Sequence, residues 1–300
     1  MPSNICRLIS IFGLSLLLFS TAKGQSQNEY KRVYLSGKDA ASQVYWDFKV
    51  SDGRKKEQWT KILVPSNWEM QGFGNFNYGH DHKNPERKVA DEIGYYKHEF
   101  DVPSAWRKNV VNLVFDGAMT DTEVKINGEI VGPIHQGGFY RFSYDISDFL
   151  DFGSKNILEV KVYKRSSNQS VNKAEREADF WIFGGIFRPV FLEVVPHNHF
   201  TRIAVNAKAD GFFEALITVK DVPRLSEIQV QLVEQKSGEV VGEFAQAIDS
   251  DSVWLSHVFP GVKSWNPETP NLYIARFSLI RNKKILYQKT EKIGFRTVEL

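Results

Sequence analysis

The stretch TEVKINGEIVG, residues 122–132, decides the class of the chain. From Glu123 to Ile126 polar and apolar side chains alternate, and a second short run begins at Glu129. Only Asn127-Gly128 stands between the two runs. Both central positions of a two-residue turn need positive φ, which Asn and Gly tolerate best, so the stretch reads as a β-hairpin.

The same period of two extends outward in both directions. YYKHEFDV (95–102), VVNLVFDG (110–117), GFYRFSYDIS (138–147), NILEVKVYK (156–164) and RPVFLEVVP (188–196) all read as short strands. Pro196-His197-Asn198-His199 breaks the pattern. A second set follows: TRIAVNAKAD (201–210), FFEALITVKD (212–221), EIQVQLVEQ (227–235), EVVGEFAQAI (239–248), SVWLSHVF (252–259), LYIARFSLIR (272–281) and KILYQKTEKIGF (284–295). No long stretch has helical periodicity. Many short strands with turn signals between them predict an all-β chain, a jelly-roll sandwich followed by an immunoglobulin-like sandwich. The expected boundaries are 25–196 and 197–300, the second being about 100 residues, the size of one such sandwich.

Composition supports two ordinary packed domains. Of 300 residues, 42% are hydrophobic and 25% charged, and the net charge is +2 with scattered basic residues. Nothing in that balance favours nucleic acid as a partner. Residues 1–24 differ from the rest. Arg7 precedes the apolar run Leu8–Phe19, and Ser20, Thr21, Ala22, Lys23 and Gly24 follow it. That pattern predicts a cleaved signal peptide and a periplasmic or extracellular product. The only cysteine, Cys6, lies before the apolar run, so the mature chain is expected to hold without disulfides.

Sequence sets for a catalytic triad, a phosphate loop, a dinucleotide fold or a zinc helix are missing. His80-Asp81-His82 and His197/His199 each place two imidazoles at one spacing, but a transition metal needs three or four convergent ligands. Carboxylates are more numerous: Glu69, Asp81, Glu86, Asp91, Glu92, Glu175, Glu177 and Asp179. Asp179 is the oddest, placed directly before Phe180-Trp181-Ile182-Phe183 and the pair Gly184-Gly185. It reads in two ways. It caps the turn at the two glycines, or it accepts hydrogen bonds from sugar hydroxyls or binds a hard cation. Trp181, two residues on, is the aromatic best placed to stack on a sugar's C–H face.

Six motifs in order resemble the N-terminal half of glycoside hydrolase family 2, which includes β-galactosidases, β-glucuronidases and β-mannosidases. They are VPSNWEMQGFG (64–74), GYYKHEFDVPSAW (94–106), LVFDGAMTDTEVKINGEIVG (113–132), DFWIFGGIFRPVFL (179–192), WNPETPNLY (265–273) and GFRTVE (294–299). The resemblance implies a galactose-binding-like jelly roll, an immunoglobulin-like domain, and then a (β/α)₈ barrel carrying both catalytic glutamates. The 300 residues hold no position for that barrel, so no residue here takes a catalytic role.

The family's D-x(5)-G-I-x-R pattern falls on Asp179, Gly185, Ile186 and Arg188. The resemblance therefore implies Asp179 as a ligand of the terminal sugar. In some β-galactosidases this Asp also helps hold sodium, which makes Asp179 the candidate ligand for a sodium ion in the intact enzyme. The family's second sugar contact, an Asn, falls by ungapped count from Val64 on His80, with Asn75, Asn77 and Asp81 nearby. The candidate substrate-binding set is thus Asp179, Trp181 and His80. Together these features predict the non-catalytic part of a secreted exo-acting β-glycosidase, a β-galactosidase first, completed by a barrel and acting on a terminal β-linked sugar. The alternatives are a free-standing carbohydrate-binding module, a β-glucuronidase or β-mannosidase portion, and a scaffold that self-associates as a homo-oligomer.

Overall fold

In the computed structural model, residues 30–89 and 91–299 are described. The leader segment 1–24, with Cys6, lies outside the described residues. No described helix is long and apolar enough to cross a membrane.

The first unit is a sandwich of two antiparallel sheets. One runs in the order Lys31–Tyr34, Val190–Val195, Val110–Phe115, Phe142–Asp145. The other runs Thr60–Val64, Val44–Val50, Ile93–Asp101, Lys155–Tyr163, Asp121–Ile126, Glu129–Ile130. Alternation decides which side chains enter the core. In Lys155–Tyr163, the side chains of Asn156, Leu158, Val160 and Val162 are buried and those between them face out. Trp46, Phe48, Ile62, Tyr96, Leu113, Phe115 and Leu192 fill the space between the sheets. The predicted hairpin is present: Asn127 and Gly128 have φ of 51° and 87°, and Ile126 pairs with Glu129.

Val110–Phe115 and Val190–Val195 are apolar on both faces. Continuous burial reflects cover on two sides. Val110 and Val195 belong to the core of the second unit, and Arg32 and Arg141 lie over the ring of Phe191 at 4.3 and 5.8 Å.

The second unit is a seven-stranded sandwich. Its sheets run His199–Ala207, Phe212–Lys220, Ser252–Val258 and Val240–Ile248, Ser226–Glu234, Tyr273–Arg281, Lys284–Ile293. An aromatic centre does the work of the absent inter-sheet disulfide. Phe213 meets Phe259 at 5.6 Å and Tyr273 meets Phe295 at 5.4 Å, both edge to face.

Two readings of the sequence change. GFYRFSYDIS is a strand only over Phe142–Asp145. A seven-residue helix, Gln169–Glu175, stands just before Asp179, capped by the Asn168 side chain, which accepts the Ser170 N–H. With only Val171 and Ala174 apolar in seven residues, it is too short to show a helical period.

Candidate functional site

Two of the six motifs meet at one end of the first sandwich. In VPSNWEMQGFG, the Ser66 N–H donates to the Ile186 carbonyl, and the Trp68 N–H donates to that of Gly184. The Asn67 side chain also donates to the Gly184 carbonyl. Trp68 is fully buried against Gly184, where any Cβ would overlap its six-membered ring. The loop 64–74 therefore fixes the segment after Asp179.

Beneath this contact lies a buried charge cluster. Lys164 has no exposed surface, and its ammonium stands 2.7 Å from Glu69 and 3.4 Å from Glu92. It also donates to the Asn75 carbonyl at 2.6 Å and the Asn77 side chain at 3.0 Å. Both Glu69 carboxylate oxygens accept the Gly184 N–H at 3.1 Å, and Glu92 accepts the Asn75 N–H at 2.9 Å. One ion cluster thus ties loop 75–77 to the Gly184 turn. Burial pushes the Glu69 carboxyl up, and Lys164 and its hydrogen bonds oppose that shift. Arg176 is buried next to the cluster and donates to the Phe183 carbonyl at 2.9 Å. Burial lowers its guanidinium to about 10, still charged at neutral pH.

On this base sits an open aromatic corner. Trp181–Ile182 is a two-residue strand paired with Asn77–Tyr78. Trp181 is 55% exposed and meets Tyr78 at 5.5 Å and Phe76 at 6.2 Å, edge to face. Phe76 is exposed too, with Arg54 over its ring at 4.9 Å. The Gly79 N–H donates to the Phe180 carbonyl at 2.8 Å, and Gly79 abuts Ala178. These contacts join the residue before His80 to the residues on both sides of Asp179. His80 is exposed, with its ring 6.0 Å from that of Tyr78.

The carboxylates separate by whether they are already used. Glu175 accepts the Gly138 N–H, Glu177 pairs with Arg165 at 3.0 Å, and Asp81 pairs with Arg87 at 2.9 Å. Glu69 and Glu92 serve Lys164. Asp179 is exposed and, among the described residues, makes no hydrogen bond or ion pair. It does not cap the glycine turn, because Glu69 takes the Gly184 N–H. The histidine pairs do not converge: His82 contacts the Gly79 carbonyl at 2.8 Å and His199 that of Pro196 at 2.8 Å. Among the described residues no three His, Cys, Asp or Glu side chains group as metal ligands. Asp179 offers a cation one carboxylate, which is far short of the six or so oxygens a hard cation takes. The residues present do not by themselves fit a sodium ion.

A family model, "Glycosyl hydrolases family 2, sugar binding domain", matches residues 35–196, and a second, "Glycosyl hydrolases family 2", matches residues 199–296. The chain belongs to glycosyl hydrolase family 2. It is 30% identical over 258 residues to a β-galactosidase of Halalkalibacterium halodurans, covering 81% of this chain and 25% of that protein. It is 32% identical over 255 residues to a β-galactosidase of Clostridium acetobutylicum, covering 80% and 28%. The chain spans about a quarter of the length of these relatives. A solved β-glucuronidase of Bifidobacterium dentium superposes with TM-score 0.68 at 21% identity, over 90% of this chain and 49% of that one. That likeness shows the family 2 fold, a jelly roll followed by an immunoglobulin-like sandwich.

Sequence reasoning missed Phe76, Tyr78, Arg54 and Lys164. Lys164 was within reach: it continues the inward phase of Asn156, Leu158, Val160 and Val162. A lysine in an inward register needs a buried partner. Phe76 and Tyr78 had no such mark, because their pairing with Trp181 is a contact between distant segments.

Proposed function

We propose that this chain supplies the non-catalytic wall of the sugar pocket in an exported, exo-acting family 2 β-glycosidase, with a terminal β-galactoside as substrate. One observation carries the reading. Asp179 is an unused carboxylate at the rim of an exposed aromatic corner, on a segment held by a buried ion cluster. A carboxylate without an internal partner accepts hydroxyl hydrogen bonds at little cost, and Trp181 offers an apolar face to the sugar ring. The preference for galactose rests on the β-galactosidase relatives. Export rests on residues 1–24 alone.

Glycoside hydrolysis needs two carboxyl groups across one sugar, one protonated and one ionised. Glu69, Glu92, Glu175, Glu177 and Asp81 are spent on Lys164, Arg165, Arg87 or backbone N–H groups. This end of the sandwich therefore binds and orients, and the bond cleavage belongs to a catalytic barrel.

The discriminating experiment pairs two assays on the 300-residue chain. It is expected to release no nitrophenol from p-nitrophenyl β-galactoside, β-glucuronide or β-mannoside. In isothermal titration it is expected to bind galactose no more tightly than millimolar. Submillimolar galactose binding would replace this reading with a free-standing binding module.

A further inference from the structure

A second aromatic group lies on the outward face of the six-stranded sheet, away from Asp179. Its residues follow from register. Across one row Lys49 pairs with Tyr95, Tyr95 with Lys161, and Lys161 with Glu123. Across the next, Asp47 pairs with Lys97, Lys97 with Glu159, and Glu159 with Lys125. Trp59 precedes the edge strand Thr60–Val64 and folds over this face, 47% exposed. A cavity of about 250 Å³ lies between Trp59, Tyr95 and the charged rows, lined also by Lys97, Glu123, Glu159 and Lys161.

Four of the five lysines on this face are matched in pairs, and Lys125, which also lines the cavity, has no ion-pair partner among the described residues. Lys49 meets Glu57 at 3.0 Å, Lys61 meets Asp47 at 2.7 Å, Lys97 meets Glu159 at 2.9 Å, and Lys161 meets Glu123 at 3.6 Å. A cationic ligand would have to break one of these pairs, and an anionic one would meet a single free ammonium, that of Lys125. A neutral, polyhydroxylated ligand would share the pairs, because carboxylates keep free lone pairs and ammonium groups keep free protons. Trp59 and Tyr95 supply the aromatic surface, with Lys49 over both rings at 5.8 and 5.0 Å, Lys97 over Trp59 at 5.5 Å and Lys161 over Tyr95 at 5.9 Å, and among the described residues neither the indole N–H nor the phenol is used in a hydrogen bond. The volume is just under the roughly 300–1,000 Å³ of pockets for drug-sized ligands, a fit for a small cyclic unit.

We propose that this face is a second carbohydrate site, in which Trp59 and Tyr95 hold one residue of a neutral oligosaccharide and Glu123, Glu159 and Lys97 bond its hydroxyls. The site does not depend on the role given to Asp179. It would hold a polysaccharide chain against the protein through a weak, repeated contact.

Affinity electrophoresis of the full chain tests it, in gels containing β-1,4-galactan, galactomannan or xyloglucan, with polygalacturonate as the anionic arm. Retardation is expected in at least one neutral gel. Trp59→Ala should weaken it at least tenfold, and Trp59→Phe should keep most of it. Trp59 is half exposed, so its removal should not disturb folding, and an unchanged thermal midpoint checks this. If Trp59→Ala does not fold, Tyr95→Leu with the same expected loss takes its place. The proposal is overturned by migration unaffected in every neutral gel, by retardation only in polygalacturonate, or by equal retardation of Trp59→Ala or its replacement.

Discussion

Lys164 is the residue on which the corner's geometry depends, with its ammonium 2.7 Å from Glu69 and no solvent in reach. Replacing one partner of a buried pair leaves the other charge uncompensated, at a cost of about 3–5 kcal/mol. Lys164→Ala should therefore lower the unfolding free energy by about that much in urea titrations. A loss below about 1 kcal/mol, the size of a surface pair, would show that the cluster is solvated and holds nothing. Asp179 was legible in the sequence as a charge out of place. That it is left unpaired was not, since its freedom depends on Glu69, 110 positions earlier in the chain, taking the Gly184 N–H. The sequence reading left capping and binding open because such long-range competition has no local mark.

At the scale of elements, the corner is a docking of two loops through Gly184 and Trp68. Gly184 is buried, and a methyl group there would overlap the Trp68 ring, which is itself fully buried. Neither can move without opening the core, so Gly184→Ala should cost more than about 2 kcal/mol, within the range for overpacking. Thermal unfolding of the variant checks this, and a midpoint equal to that of the parent would mean that the turn can shift freely. Strands were legible wherever alternation or an Asn-Gly turn marked them, as at Asn127-Gly128. The short pairing of Trp181–Ile182 with Asn77–Tyr78 was not, because two residues are too few to show a period.

Across the whole molecule, two cores share one boundary. Val110 and Val195 join the aromatic centre of the second sandwich, and Lys220 reaches Asp145 at 4.0 Å. Three histidines respond to pH in both units. Burial lowers His98, His135 and His199 from the ordinary value of 6.5. Each binds its proton less readily folded than unfolded. Their contribution is therefore full above 6.5 and is lost as pH falls through the lower folded values. The urea midpoint should be lower at pH 5.5 than at pH 7.5, and His199→Gln should narrow the difference. A midpoint that rises on acidification would reverse the sign.

The two-sandwich architecture was legible because strand patterning repeats along the chain. The barrel proposed to complete the sugar pocket was legible only through the family resemblance, because no local pattern in this chain encodes a surface supplied from outside it. The proposed pocket is tested most directly with the chain joined to a family 2 catalytic barrel: kcat/KM for p-nitrophenyl β-galactoside, parent against Asp179→Ala. Leaving sugar hydroxyls without their charged acceptor should cost about 2–3 kcal/mol, a loss of about 30- to 150-fold. A ratio within about twofold of unity would contradict a role for Asp179 in holding the sugar.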